Sequence, residues 1–299
     1  MALSVSSCIA DSGTLQVRRV SYQERMRVRR SSNQKEAANE ANKRVAIITG
    51  ADRGIGFEVS RELGALGFKI VLTSPDRARG ELAAAKLRRE GLNIVYRKLD
   101  LLNQRDIRSL SVFVLNKFGR VDVLVNNAGV MLDSGRSKVE GLLSHRIKKI
   151  PKRKGVGEGP GILEINIDIV RATLEVNTLG TLKMCQAFVP LMMKADYGRV
   201  VNVSSSLGQL NDMTDKDKVP AYKVSKTALN AVTRMVADAA GGSNVAANSV
   251  CPGWTRTDIG GPEAPQSTEE AANTIIWLAT QPDNGPTGGF FRNKRRIGW

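Results

Sequence analysis

Val45-Ala46-Ile47-Ile48-Thr49-Gly50-Ala51-Asp52-Arg53-Gly54-Ile55-Gly56 is a short apolar run that passes directly into a turn with glycines at G-x-x-x-G-x-G. Beyond it, Ile55, Val59, Leu63 and Leu66 recur at helical spacing. A strand that enters a helix through such glycines exposes backbone N–H groups at the helix N-terminus, with no side chain to keep an anion away. The spacing is not G-x-G-x-x-G. Read alone it also describes a tight turn with no ligand.

Working outward, the same unit repeats. Strands are expected at 70–73, 94–99 and 121–125, with helices at 81–90 and 107–118 between them. Further on, the pattern predicts one long helix over 167–193, a strand at 199–203, a helix at 221–240, a strand at 245–250 and a helix at 268–279. Strands alternating with helices of this length mean βαβ units, a parallel sheet and right-handed crossovers. The expected class is α/β, a doubly wound parallel sheet of Rossmann type forming one domain over 44–299. Ligands of such a sheet bind beyond the carboxyl ends of its strands, at the switch point.

Composition narrows the chemistry. The chain of 299 residues has one histidine, His145, and three scattered cysteines, Cys8, Cys185 and Cys251. These make a poor metal cage and no disulfide framework, so no metal site is expected. No run of 18 apolar residues occurs, so no membrane span is expected. The net charge of +16 is unevenly spread. Residues 1–44 carry nine Lys/Arg against four acids, and residues 136–154 carry eight against Glu140. The first 43 residues are Ser- and Arg-rich and read as a disordered extension or an organelle transit peptide, with the chloroplast as the expected compartment and the cytoplasm otherwise.

Tyr222-Lys223-Val224-Ser225-Lys226 opens the expected helix at 221–240, placing Tyr222 and Lys226 on one face. An ammonium beside a phenol stabilises the phenolate and lowers its pKa, which gives a general acid to a protein without catalytic histidine. Alone, Tyr-x-x-x-Lys describes many solvated helix faces. Its company is specific: TGADRGIG, Leu99-Asp100, Asn126-Asn127-Ala128-Gly129, Asn177, Val203-Ser204-Ser205, YKVSK and Pro252-Gly253 follow in order on the expected elements. From Arg44 to about Trp299 the chain resembles the short-chain dehydrogenase/reductase family. The stretch Cys251-Pro252-Gly253-Trp254-Thr255-Arg256-Thr257-Asp258 looks most like its carbonyl reductase branch, with the plant menthone and salutaridine reductases.

The resemblance implies roles for residues of this chain. Tyr222 would protonate a carbonyl oxygen, Ser205 would position that oxygen, and Lys226 would tune Tyr222 and bind the nicotinamide ribose. Asn177 would complete the catalytic set. Gly50, Arg53, Gly54, Ile55 and Gly56 would cradle the dinucleotide. Asp100, with Leu101 beside it, would meet the adenine, and Asn126 would lie beneath the cofactor. Pro252, Gly253, Thr255 and Thr257 would reach the carboxamide and pyrophosphate. The second strand ends in Thr73 rather than in an acid that could hold a ribose diol, and Arg53 and Arg77 are near, which favours NADP (NADPH).

Departures from the pattern also count. Gly129 and Asn177 stand 48 positions apart, about twice the family's usual need, which marks an insert at about 132–161. It leaves the chain on the substrate side and is expected to be a mobile excursion there. Ser205 to Tyr222 lacks the long insertion of carbonyl reductases, which leaves a homo-oligomer open. Pro75 stands where that branch often has an arginine. The expected function is NADP-dependent interconversion of a small-molecule carbonyl and its alcohol, with no nucleic-acid partner. The alternatives are a 3-oxoacyl-carrier-protein reductase and, in another class, an NADP-binding regulatory or nucleic-acid-associated protein.

Overall fold

The strand Val45–Ile48 (β1) is buried on both faces, and the period-2 alternation of its side chains feeds two cores. Ala46 and Ile48 join one; Val45 and Ile47 join the other. The computed structural model describes residues 44–134 and 159–299. The 1–43 extension and most of the expected insert, with its basic stretch, lie outside the described residues.

Six further strands run parallel to β1: β2 (Lys69–Ser74), β3 (Ile94–Lys98), β4 (Val123–Asn126), β5 (Gly198–Val203), β6 (Val245–Val250) and β7 (Phe290–Arg292). A short β8 (Arg295–Ile297) closes the edge antiparallel to β7, giving the order β3-β2-β1-β4-β5-β6-β7-β8. One face is covered by α1 (Gly54–Ala65), α2 (Arg77–Arg89) and α7 (Thr268–Ala279), through Val59, Leu63, Leu87 and Ile275. The other is covered by α3 (Gln104–Phe118), α5 (Thr181–Lys194) and α6 (Pro220–Ala239), through Ile107, Leu110, Phe188 and Ala237. The chain reverses its winding between β1 and β4, so a doubly wound α/β sheet is what the residues build. Among the described residues no helix is long and apolar enough to cross a membrane.

Several boundaries differ from the sequence pattern. Helix α2 starts at Arg77 because the Asp76 carboxylate caps it, accepting from Arg79 N at 2.9 Å. The single helix expected over 167–193 is α4 (Ile167–Leu174) and α5 joined by a π-helical turn, Glu175–Gly180. That turn lets Thr178 Oγ1 reach the Ser225 carbonyl at 2.9 Å and puts the Asn177 amide against Ser225 Oγ. Strands β7 and β8 had not been expected. They are three residues each, and Asn293 and Lys294 make their tight turn with φ of 50° and 60° rather than through an Asn-Gly pair.

The start of the expected insert is also corrected. Leu132–Ser134 forms a buried 3₁₀ turn, with Leu132 packed against Ile169 and Ala221. Asp133 is 1% exposed, and its Oδ2 accepts from Tyr222 N at 3.1 Å. Helix α6 has no capping side chain at its own N-cap, Val219, so a residue 89 positions earlier contributes the acceptor. Replacing Asp133 with alanine leaves a buried N–H at α6 without this partner and is expected to cost about 1–3 kcal/mol in urea unfolding. Asp133→Asn, which keeps an acceptor oxygen, should recover part of the loss; equal effects of both variants would show that the cap contributes nothing.

Candidate active site

At the carboxyl ends of β1 and β4 the turn after β1 is fastened to the segment after β4. Thr49 Oγ1 accepts from the backbone N–H groups of Asn127 and Ala128, each at 3.0 Å, and Asn127 Nδ2 donates to the carbonyls of Thr49 and Gly50 at 3.0 Å. That closeness requires glycine. A Cβ on Gly50, where φ is +61°, would lie 2.9 Å from Ala128 Cα, and one on Gly56 would lie 2.6 Å from the Gly50 carbonyl oxygen.

The result is a cleft of about 1060 Å³. Of the residues expected to hold a dinucleotide, Gly50, Arg53, Gly54, Ile55, Asp100, Leu101, Pro252, Gly253, Thr255 and Thr257 line it, together with Tyr222 and Lys226. Gly56 does not; it is buried in the turn of α1. Nor does Asn126, whose amide lies beneath in a buried polar row: Asn126 Nδ2 donates to Asn202 Oδ1 at 2.8 Å, and Asn202 donates to Thr233 Oγ1. Asn127 lines the cleft in its place. Arg77 is exposed on the first turn of α2 and is not among the lining residues. The arginine two positions on, Arg79, turns toward the glycine loop instead, with its Nε 3.2 Å from Asp52 Oδ2.

These residues fit a dinucleotide. The α1 N-terminus opens on the cleft, and its N-cap, Arg53, makes no side-chain capping bond. Aligned N–H groups there favour an anion. At the end of β2, Thr73 Oγ1 is spent on the Ile48 carbonyl and Ser74 Oγ on the Asp76 carbonyl, so no carboxylate replaces a phosphate at the strand end itself.

Ser205, Tyr222 and Lys226 meet on the inner wall of the cleft. Lys226 Nζ donates to the Val203 carbonyl at 2.8 Å and lies 5.5 Å from the Tyr222 ring centre. Asn177 does not line the cleft. It is fully buried, accepts from Val130 N at 2.8 Å, and donates to Val130 O and Ser225 Oγ. Its Oδ1 and Lys226 Nζ converge over Gly129, 3.3 and 3.5 Å from where a Cβ there would stand.

The electrostatics differ from the argument made for Tyr-x-x-x-Lys. Burial raises the Tyr222 phenol above its usual range; Cys251 and Asp133 push the same way, and the Ser205 hydrogen bond opposes them. Burial lowers the Lys226 ammonium to about 8. The ammonium is committed to the Val203 carbonyl and is itself desolvated, and burial is the largest influence on the phenol in this geometry. The phenol therefore stays protonated at neutral pH, the state a proton donor needs.

The other wall is apolar. Met131, Val219 and Tyr222 form a buried cluster with Leu207 and Ile259 packed on it. Trp254, half-exposed, also borders the cleft, its Nε1 donating to the Gly260 carbonyl at 2.8 Å. Cys251 lies beside these groups, its sulfur accepting from Ser206 N at 3.2 Å. Sequence reasoning gave no individual role to Asp52, Arg79, Asn127 and Asp133. Asp52 and Arg79 stood within two residues of the arginines that were chosen, whereas nothing local marks Asp133 as a partner of Tyr222.

The family model described as short chain dehydrogenase matches residues 44–268. (+)-Neomenthol dehydrogenase of Capsicum annuum is 32% identical over 84% of this chain and 96% of its own length. Carbonyl reductase (NADPH) 1 of Sus scrofa is 31% identical over 87% and 95%. Among solved structures, salutaridine reductase from Papaver somniferum superposes with a TM-score of 0.67 at 27% identity, covering 83% of this chain and 99% of that one. A metagenomic short-chain oxidoreductase in complex with NADP gives 0.63 at 29% identity, covering 83% and 95%.

The lowered Lys226 pKa makes the stability of the ligand-free protein depend on pH. In the unfolded chain the lysine titrates near 10.4. Between about 8 and 10.4 the unfolded state binds more protons than the folded one, so this group's penalty is full below pH 8 and fades as pH rises. Tyr222 has the opposite sign, but its contribution is lost only as pH rises past about 10. Melting curves from pH 7 to 10 should show Lys226→Met gaining on the parent at pH 7 and losing that gain by pH 10. A constant offset across the range would contradict the shift.

Proposed function

The chain belongs to the short-chain dehydrogenase/reductase family, and from that premise we propose that it is an NADP-dependent carbonyl reductase acting on an apolar ketone or aldehyde. The observation that carries this reading is the convergence of Ser205, Tyr222 and Lys226 in one cleft with the glycine turn. The coarser statement, a carbonyl reductase-like oxidoreductase, follows from the relatives.

Gly50, Gly54 and Ile55 with the α1 N-terminus would hold the dinucleotide phosphates, and Arg53 the 2′-phosphate. When bound, the reduced nicotinamide supplies a hydride to the carbonyl carbon. Everything else falls to the chain. The Ser205 hydroxyl orients the carbonyl oxygen, and the Tyr222 phenol delivers the proton that turns the developing alkoxide into the alcohol. Lys226, fixed by the Val203 carbonyl, stays against the Tyr222 ring. Asn177 and Asp133 hold the backbone on either side. The apolar wall of Met131, Leu207 and Ile259 keeps water away from the reacting oxygen and selects substrates with hydrocarbon next to the carbonyl.

Tyr222→Phe removes the proton and keeps the ring. Turnover of a carbonyl panel with NADPH should fall by about a hundredfold or more, while NADPH affinity measured by fluorescence titration stays within about twofold. An active Phe variant would remove Tyr222 from the mechanism.

We also propose that residues 135–158 influence substrate choice. Their flanks support this. Ser134 follows the Asp133 that caps α6, and Gly161 and Ile162 meet Asp215, seven residues before Tyr222. Exchanging 135–158 for a Gly-Ser linker should change substrate KM or preference and leave NADPH affinity within about twofold. Weakened NADPH binding would assign the segment's positive charge to the cofactor instead.

A further inference from the structure

Arg53, which lines the cleft, and Arg79, which turns toward the glycine loop, are both engaged by acids. Arg53 Nη1 lies 2.7 Å from Asp52 Oδ2, and Arg53 Nε lies 2.8 Å from Asp258 Oδ2. Arg79 Nε lies 3.2 Å from the same Asp52 oxygen and 3.6 Å from Asp76 Oδ2. Asp52 is the hub. It sits inside the glycine turn, lines the cleft, and its side chain is only 4% exposed, whereas Asp258 is 53% exposed and Asp76 39%.

We propose that Asp52 is a specificity-determining residue: its carboxylate competes with a cofactor 2′-phosphate for Arg53 and Arg79 and so limits the preference for NADPH over NADH. The proposal rests on reading this end of the cleft as the 2′-phosphate side. Arginine binds phosphate best through two parallel N–H bonds from its fork. Arg53 already directs two nitrogens, Nε and Nη1, to carboxylates. An anion arriving there shares guanidinium groups with Asp52 and meets its like charge. Since Asp52 is nearly buried between two fixed glycines, solvent screens it poorly and it cannot swing away. The exposed Asp258 acts on Arg53 in the same sense but is better screened. NADH lacks the phosphate, so its binding senses neither acid strongly. The cluster has a second use. Without cofactor, Asp52 keeps two guanidinium groups in place that would otherwise repel each other across the turn. The turn thus stays ordered at some cost in discrimination.

Asparagine at position 52 keeps the shape and an acceptor oxygen but removes the charge. The experiment compares the parent, Asp52→Asn and Asp258→Asn in fluorescence titrations with NADPH and NADH, and in calorimetric titrations with 2′,5′-ADP and 5′-AMP. We expect Asp52→Asn to tighten NADPH and 2′,5′-ADP about fivefold or more, with NADH and 5′-AMP within about twofold. Asp258→Asn should shift NADPH in the same direction by about twofold. Unchanged or weaker NADPH binding by a folded Asp52→Asn, with the parent binding 2′,5′-ADP normally, overturns the proposal and leaves the NADP reading intact. If Asp52→Asn does not fold, Asp258→Asn decides: no gain for NADPH refutes competition. A parent that binds 5′-AMP as well as 2′,5′-ADP refutes the NADP reading, and the proposal with it.

Discussion

Thr49 stands at the end of β1 and takes two backbone N–H groups from the segment after β4, while Asn127 gives two side-chain bonds back. These four bonds span the point where the sheet reverses its winding. Two diverging strand ends would otherwise leave open backbone there, and unpaired buried N–H and C=O groups are expensive. The bonds also fix the floor of the cleft. Gly50 must come within van der Waals contact of Ala128 for them to form, so this interaction sets both the glycine at position 50 and the path of the chain toward Met131 and Asp133.

From that path the catalytic wall follows. Asp133 reaches α6 only because the segment after β4 is held down, and it ties the first turn of α6 at Tyr222 itself. On the far side, the π turn brings Asn177 and Thr178 to Ser225. Tyr222 and Ser225 are thus each held by a residue from another part of the chain. Such a network is stable only when every member is satisfied. The positions of Tyr222 and Lys226 therefore depend on contacts with high sequence separation more than on the helix that carries them.

The strands were legible where they carry apolar runs, as in β1, β2 and β4, and the helices because Val59, Leu63, Ile107, Leu110 and Val114 repeat at helical spacing. Tyr222, Lys226 and Ser205 could be named because the ordered set of motifs resembles the short-chain dehydrogenase/reductase family. What escaped was tertiary. Asp133 acts across 89 positions and has no local signature. Arg77 could not be placed without the helix phase: Asp76 caps α2, Arg77 then lies exposed and Arg79 turns toward the glycine loop. The β7–β8 hairpin was hidden by its three-residue strands and by a turn made of Asn293 and Lys294.

The acidity of Tyr222 shows the same limit in chemical form. Spacing places an ammonium and a phenol on one helix face, and a model peptide with that spacing would have a more acidic phenol. In the fold, Tyr222 is also approached by Ser205 after β5, Cys251 after β6 and Asp133 after β4. Desolvation is the largest influence, Cys251 and Asp133 add to it and only the Ser205 hydrogen bond opposes it; desolvation acts on Lys226 too, so both partners shift toward neutrality rather than toward an ion pair. The two shifts reinforce each other. A lysine that loses part of its charge stabilises a phenolate less, and a phenol that keeps its proton gives the lysine no anion to pair with. The acidity of this site accordingly depends on the burial of the pair as well as on the Tyr-x-x-x-Lys spacing.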